Sequence, residues 1–165
     1  MNCIKLTEND EALINDLAAL ASEIWKEHYD PILGSEQNDY MIEKFQSAAA
    51  IKEQLRDNVT YCLVCTDEGE KAGFVAFYPR ENELYLSKFY LHKSQRGKGI
   101  ARQMMDFVIA EAGKINASSV TLNVNRYNDL AIAVYEKLGL KRIRSEKIDI
   151  GKGWYMDDYV YEYKL

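Results

Sequence analysis

Residues 90–109, YLHKSQRGKGIARQMMDFVI, set Gly97 and Gly99 among Arg96, Lys98 and Arg102, between a strand-like run and a helix-like run. A helix start carries N–H groups with no partner in the helix, and a partial positive charge. Glycine lets the backbone approach a ligand closely. Together with the cations, these features make a pyrophosphate cradle. The dipole term alone is worth only about 0.3–1 kcal/mol at an exposed site, so several N–H groups must converge. A dinucleotide fingerprint would want a small residue where Arg102 stands, and an opening βαβ unit where this chain has helices. A P-loop would want Gly-Lys-Ser/Thr, which is absent. The bland alternative is a glycine turn with solvated cations.

A second set lies in NDLAIAVYEKLGL. Asn128, Ala131 and Tyr135 are spaced by three and four, so they share one helix face. Leu130, Val134 and Leu138 share another and read as core. A polar cap, a small residue and a tyrosine in line suit a slim ligand lying along the helix. An ordinary amphipathic helix is the other reading of Tyr135.

These residues need elements to position them. A short strand, NCIKLT, opens the chain, and Asp10 is placed to cap a helix from Glu11 to about Tyr29, with Leu13, Leu17, Leu20, Ile24 and His28 near one stripe. Pro31 and Pro79 read as element ends. Helices follow over about 36–46 and 48–56, then a hairpin turning at 67–70. In ELYLSKFYLH, Leu84 and Leu86 are in phase but Phe89 and Leu91 are in the opposite phase. A bulge near Ser87–Lys88 is predicted, since a strand cannot switch face without an extra residue. From Gly99 to Gly113 the period is helical, SSVTLNVN alternates with Val120, Leu122 and Val124 on one face, and Asn128 caps a helix that Gly139 stops. Two strands, about 141–150 and 154–163, close the chain around Gly151-Lys152-Gly153. The expected fold is a single α/β domain over residues 1–165 with a mixed sheet.

A net charge of −5 disfavours nucleic acid and suits a cationic substrate. No apolar run approaches a membrane span, and MNCIKLTEND does not read as a secretion signal, so the expected location is the cytoplasm. Cys62 and Cys65 sit in a strand-like run, where an offset of three points the sulfurs to opposite faces; Cys3, His28 and His92 are the remaining soft ligands. No redox or metal site is expected.

Arg96-x-x-Gly99-x-Ala101 followed by Asn128-x-x-Ala131-x-x-x-Tyr135-x-x-x-Gly139-Leu140 resembles the GCN5-related N-acetyltransferase (GNAT) family, and the element order matches. The closing IGKGWYMDDYVYEYKL, with LSKFYLHKSQRGKG, looks more narrowly like the PaiA-type polyamine acetyltransferases. The resemblance implies a mostly antiparallel mixed sheet flanked by helices, with strand 4 bulged and splayed from strand 5. It implies that acetyl-CoA is the co-substrate, with main-chain amides of Arg96, Gly97, Lys98, Gly99, Ile100 and Ala101 on the pyrophosphate. Phe89, Tyr90 and Leu91 would run beside the pantetheine arm, with the Phe89 N–H polarising the thioester carbonyl. Asn128 and Ala131 would flank the arm, and Tyr135 would serve the leaving thiolate as the catalytic residue. The family's frequent strand glutamate is here Tyr85; Glu83 reads as a solvated strand-end acid, and Asn123 could orient a water. No general base is assigned.

The acceptor would be a small cationic amine such as spermidine or spermine, met by Trp25, His28, Tyr29 and Tyr40 and by Asp157 or Asp158. Asp157 and Asp158 alternate faces, so at least one should be solvated; His92 should be exposed. The tyrosine-rich last strand could pair with a second chain in a homodimer. Acetylation of a protein amine, or acyl-CoA binding without turnover, are the alternatives.

Overall fold

The computed structural model describes residues 1–165. In chain order the elements are β1 (Asn2–Lys5), α1 (Glu11–Leu33), α2 (Ser35–Gln46), α3 (Ala48–Arg56), β2 (Thr60–Cys65), β3 (Lys71–Arg80), β4 (Glu83–Leu91), α4 (Ile100–Lys114), β5 (Ser119–Asn125), α5 (Asp129–Lys137), β6 (Lys141–Gly151) and β7 (Trp154–Lys164). The strands form a mixed sheet of order β1-β2-β3-β4-β5-β7-β6. β4 and β5 run parallel; the β1–β2, β2–β3, β5–β7 and β6–β7 pairs are antiparallel. This is the expected α/β class. No helix is long and apolar enough to cross a membrane. The chain divides into two compact units, Met1–Tyr78 with Lys88–Met104, and Pro79–Ser87 with Met105–Leu165.

In the first unit α1 buries Ile14, Leu17, Ala21, Ile24, Trp25 and Tyr29. The expected Leu13 and Leu20 are only half-buried. The stripe is turned toward Trp25 and Tyr29, whose rings offer the most apolar area. The helix also runs past Tyr29, through Pro31, and stops at Leu33. Pro31 falls in the last turn, where its missing N–H leaves only the Glu27 carbonyl without a ladder partner. Asp10 does not cap α1 with its side chain. Its carboxylate turns back to Thr7, accepting from the backbone N–H at 2.6 Å and from Oγ1 at 3.0 Å. β2 is buried almost throughout, so Cys62 and Cys65 are unbridged core thiols. Gly73 on β3 fixes the approach of β4: a Cβ there would stand 2.1 Å from the Tyr90 carbonyl oxygen.

In the second unit β4 pairs with β5 over Glu83–Tyr85 only, ending at Tyr85 opposite Thr121. β5 then continues to Asn125, paired along its other side with β7. Leu84 and Leu86 are buried, and from Ser87 to Leu91 every residue is half-buried, so alternation stops where the phase fault was expected. Helix α4 ends at Lys114 rather than Gly113; the left-handed turn residue is Asn116, at φ 55. β7 is paired along both sides, with β5 and with β6. Its edge therefore cannot receive a second chain, contrary to the expectation for the tyrosine-rich strand; β6 is the outer strand. In α5, Asn128 caps as expected, but Leu130 is 54% exposed and Val134 half-buried, while Asn128 and Tyr135 are buried. The line expected to face a ligand is the buried line, and the expected core stripe keeps only Leu138.

Candidate functional site

The glycine turn is built as a donor surface. Gly97 and Gly99 take φ of 76 and 78, and a Cβ added at either would meet nothing within 4 Å. Backbone conformation, not space, is what requires glycine there, since a Cβ in the left-handed region costs about 1–2 kcal/mol. The first rung into α4 runs from the Gln103 N–H to the Gly99 carbonyl, at 3.4 Å. The N–H groups of Ile100 and Ala101 precede it and stand outside the helical ladder. The Arg96 N–H is turned to the Lys93 carbonyl at 3.3 Å, so the outward-facing amides begin at Gly97.

The cations of this turn do less than their charge suggests. The Arg96 guanidinium reaches back to the Leu91 carbonyl (3.3 Å), to His28 Nε2 (2.8 Å) and to Glu27 (3.6 Å). It braces the turn against α1. Burial, and then the charge of Arg96, hold the His28 imidazole below its usual pKa, which suits a neutral ring accepting from Arg96. Lys98 Nζ donates to Gln95 Oε1 at 3.1 Å and lines a cleft of ≈ 430 Å³ together with Asp67, Glu68 and Glu70. That acidic wall disfavours phosphate at Lys98, so anion attraction rests on the backbone amides. His92 is not exposed: it is half-buried, with Nε2 2.9 Å from Glu23 and Nδ1 accepting the Ser94 N–H at 3.2 Å.

Along β4 the side chain of Tyr90 is committed to packing. Its ring lies 5.4 Å from those of Trp25 and Phe74, and its hydroxyl 3.2 Å from that of Tyr29. Trp25 and Tyr29 are therefore core residues, and Tyr40 sits under Lys44, 5.7 Å from ring centroid to Nζ. Phe89 and Leu91 are half-buried. Lys88 places its ammonium 5.9 Å from the Phe45 ring, and burial pulls its pKa down to about 8.

In the second unit the face spaced by three and four exists. The Asn128 Oδ1 accepts the Ala131 N–H at 3.2 Å, Ala131 is half-buried, and Tyr135 is 7% exposed. Beside these expected residues stands a group that sequence reading found only in part. The Tyr85 hydroxyl donates to Asn123 Oδ1 at 3.0 Å. Asn123 Nδ2 donates to Glu146 Oε2 at 3.1 Å and to Asp158 Oδ2 at 3.3 Å. Asp158 is 2% exposed, whereas Asp157 is half-exposed and pairs with Arg126 at 2.8 Å. Burial pushes the Asp158 carboxyl up to about 6, against the Asn123 hydrogen bond and with help from Glu146 and Asp157. The Asn123 hydrogen bond holds Glu146 below its usual value. Glu83, expected to be solvated, pairs with Arg80 at 2.7 Å. Glu146 could not have been found from sequence, because only the β6–β7 register sets it opposite Asp158.

The sequence profile of the Acetyltransferase (GNAT) family matches residues 17–140, a stretch that includes both the glycine turn and α5. The chain belongs to this family. An uncharacterized N-acetyltransferase of Mycobacterium tuberculosis is 28% identical over 147 residues, covering 88% of this chain and 94% of that protein. The L-2,4-diaminobutyric acid acetyltransferase of Vibrio cholerae is 29% identical over 82 residues, 48% of this chain and 47% of that protein. Among solved structures, a PaiA N-acetyltransferase from Thermoplasma acidophilum in complex with coenzyme A superposes with a TM-score of 0.76 over 100% of both chains, at 20% identity. That likeness is one of fold. As a GNAT-fold acetyltransferase, the protein transfers an acetyl group from acetyl-CoA to an amine.

Proposed function

We propose that the acceptor is a primary amine of a small molecule, with a polyamine such as spermidine or spermine as the class the chemistry suits. The observation that carries the reading is the turn at Gly97–Ala101. Two left-handed glycines precede a helix whose first amides have no partner in the ladder, and nothing stands over the glycines. Those residues fit a diphosphate. A polyamine is favoured by the net charge of −5 and by the buried acid Asp158 with its neighbour Glu146. The name of the Vibrio cholerae relative points to a diamine-derived acceptor, in keeping with that class.

Acetyl-CoA supplies the activated acetyl group. The amides of Gly97, Lys98, Gly99, Ile100 and Ala101 hold its diphosphate, and β4 from Phe89 to Leu91 offers main chain to its arm. Tyr135, a buried phenol, gives a proton to the departing thiolate. The attacking nitrogen must first lose its own proton. With an ammonium pKa of about 10.4, being neutral at pH 7 costs about 4.6 kcal/mol, at 1.36 per unit. Holding both reactants in one geometry offsets much of the remaining barrier.

The test is release of free thiol from acetyl-CoA in the presence of spermidine, spermine, simple monoamines and lysine-bearing peptides. Turnover with the polyamines well above that with peptides is expected. Turnover confined to peptides would replace the small-molecule reading with a protein one.

A further inference from the structure

The segment that leads from β4 into the glycine turn is held against α1 at two points. Glu23 and Glu27 lie four apart on that helix, so they share a face, and His28 stands next to Glu27. Glu23 meets His92 at 2.9 Å, just past the end of β4. Glu27 and His28 meet Arg96, at 3.6 and 2.8 Å. The His92 and His28 contacts span 69 and 68 positions of sequence, so they fix where the turn sits and not merely its local shape.

Arg96 joins the parts. Its Nη2 donates to the Leu91 carbonyl at 3.3 Å and its Nε to the same oxygen at 3.4 Å, which ties the end of β4 to the turn. The same Nη2 donates to His28 Nε2 at 2.8 Å, the shortest contact the guanidinium makes. The amides of Gly97 to Ala101 follow directly. Two glycines give that stretch conformational freedom, so the direction of its N–H groups depends on the anchor before it.

A guanidinium has donors only and keeps its charge. His28 can therefore meet it only as an acceptor, with the lone pair on Nε2 and the proton on Nδ1. A second proton turns Nε2 into a donor and sets one cation against another. The contact must then open. His28 is faced by Arg96 from the turn, by Glu27 beside it on α1 and by the Tyr29 ring at 6.1 Å. Glu27 already serves Arg96. Burial, and then Arg96, hold the ring below its usual pKa, so the fold selects the neutral state. At His92 the sign is opposite. Its partner is the carboxylate of Glu23, so a proton on that ring strengthens the contact.

We propose that His28 is a positioning residue for the coenzyme: neutral, it holds Arg96 and so aims the Gly97–Ala101 amides at the diphosphate; protonated, it releases them, and affinity for coenzyme A falls. The inference rests on the acetyltransferase reading and adds a residue of α1 to its coenzyme site. The sign of the effect separates it from plain electrostatics. A histidine acting only as a nearby charge would attract the diphosphate once protonated, and binding would tighten as pH falls. A tether loses its grip as pH falls. By reciprocity, bound coenzyme must make His28 harder to protonate.

The experiment has two arms. One is calorimetric titration of coenzyme A between pH 5 and pH 8 into the wild type, His28→Gln and His28→Ala. The other is an NMR titration of the two imidazoles of the wild type, with and without saturating coenzyme A. His28→Gln offers an uncharged acceptor oxygen at every pH, so its Kd at pH 8 should lie within about twofold of the wild type. Comparison with it also removes any titration of the coenzyme's own phosphates. The wild-type Kd should rise relative to that of His28→Gln as pH falls below about 6.5, the ordinary histidine value. It should approach the loss of about tenfold that His28→Ala already shows at pH 8, the scale of a hydrogen bond to a charged group. The His28 midpoint should move lower when coenzyme A is added. Parallel pH profiles for the wild type and His28→Gln would overturn the inference. So would a His28 midpoint that rises on adding coenzyme A, or a His28→Ala protein with wild-type affinity at pH 8. The wild-type midpoint needs no variant, so it decides the matter even where His28→Ala does not fold. A wild type that binds no coenzyme A at any pH removes the acetyltransferase reading underneath, and this inference with it.

Discussion

Replacing Asp158 with asparagine should make the folded protein more stable, and by an amount that depends on pH. Asp158 is 2% exposed, and its carboxyl titrates near 6 in place of its ordinary 3.8, with burial as the main cause. A carboxyl whose pKa is raised by folding binds its proton more tightly in the native state. It adds no penalty below about pH 4, and a growing one as pH climbs to about 6, after which the penalty is constant. At 1.36 kcal/mol per pH unit the full penalty is about 3 kcal/mol at pH 8. At pH 5 it is about 1.6 kcal/mol, because there the unfolded carboxyl is ionised and the folded one is not. The asparagine oxygen still accepts from Asn123, so no hydrogen bond need be lost. Urea unfolding of both proteins at the two pH values gives the answer. With a slope of about 2 kcal/mol per molar, the variant's midpoint should lie about 1.5 M higher at pH 8 and about half as far above at pH 5. A gap that is the same at both pH values, or a variant less stable than the wild type at pH 8, would refute the argument that burial of this charge is what stores the energy.

Three further outcomes follow from other parts of the molecule. Tyr135→Phe should bind coenzyme A normally by calorimetry and lose about a hundredfold in kcat, the low end of what a positioned proton donor supplies; unchanged turnover would take the leaving-group role from Tyr135. Gly73→Ala sets a Cβ 2.1 Å from the Tyr90 carbonyl, backbone against backbone, and should lower the melting temperature by about 6–12 °C, on the order of 3 kcal/mol at about 2–4 °C per kcal/mol. Lys88 has its pKa lowered to about 8 by burial, so its charged form penalises folding below pH 8 and the penalty fades as pH rises toward 10.5. Lys88→Met should therefore raise stability at pH 7 by up to about 3 kcal/mol and by much less at pH 10, read by denaturant unfolding.

Local chemistry explains what was legible in the residue order. The glycine turn, the Asn128 cap and the Gly139 stop are written within a few residues of one another, because each depends on backbone conformation and short-range hydrogen bonds. The change of period from 3.6 to 2 gave the α/β class and the element order for the same reason. Trp25 and Tyr29, expected to meet a cationic acceptor, are instead buried in the core of the first unit. What failed was rotation and register. The α1 stripe turned toward Trp25 and Tyr29 because two rings outweigh two leucines, and only the packed neighbours decide that. Leu130 and Tyr135 exchanged inside for outside because the cap fixes where α5 starts, and the sheet, not the helix, decides which face is covered. The Tyr85–Asn123–Glu146–Asp158 array is the clearest case. Its members lie up to 73 positions apart, and it exists because strand pairing brings four polar side chains to one face and buries one of them. Sequence by itself carried the turn and cap motifs that mark the family, because they are local; tertiary structure decided that Asp158 is buried and Asp157 is not, since charge burial is a property of neighbours that no single stretch contains.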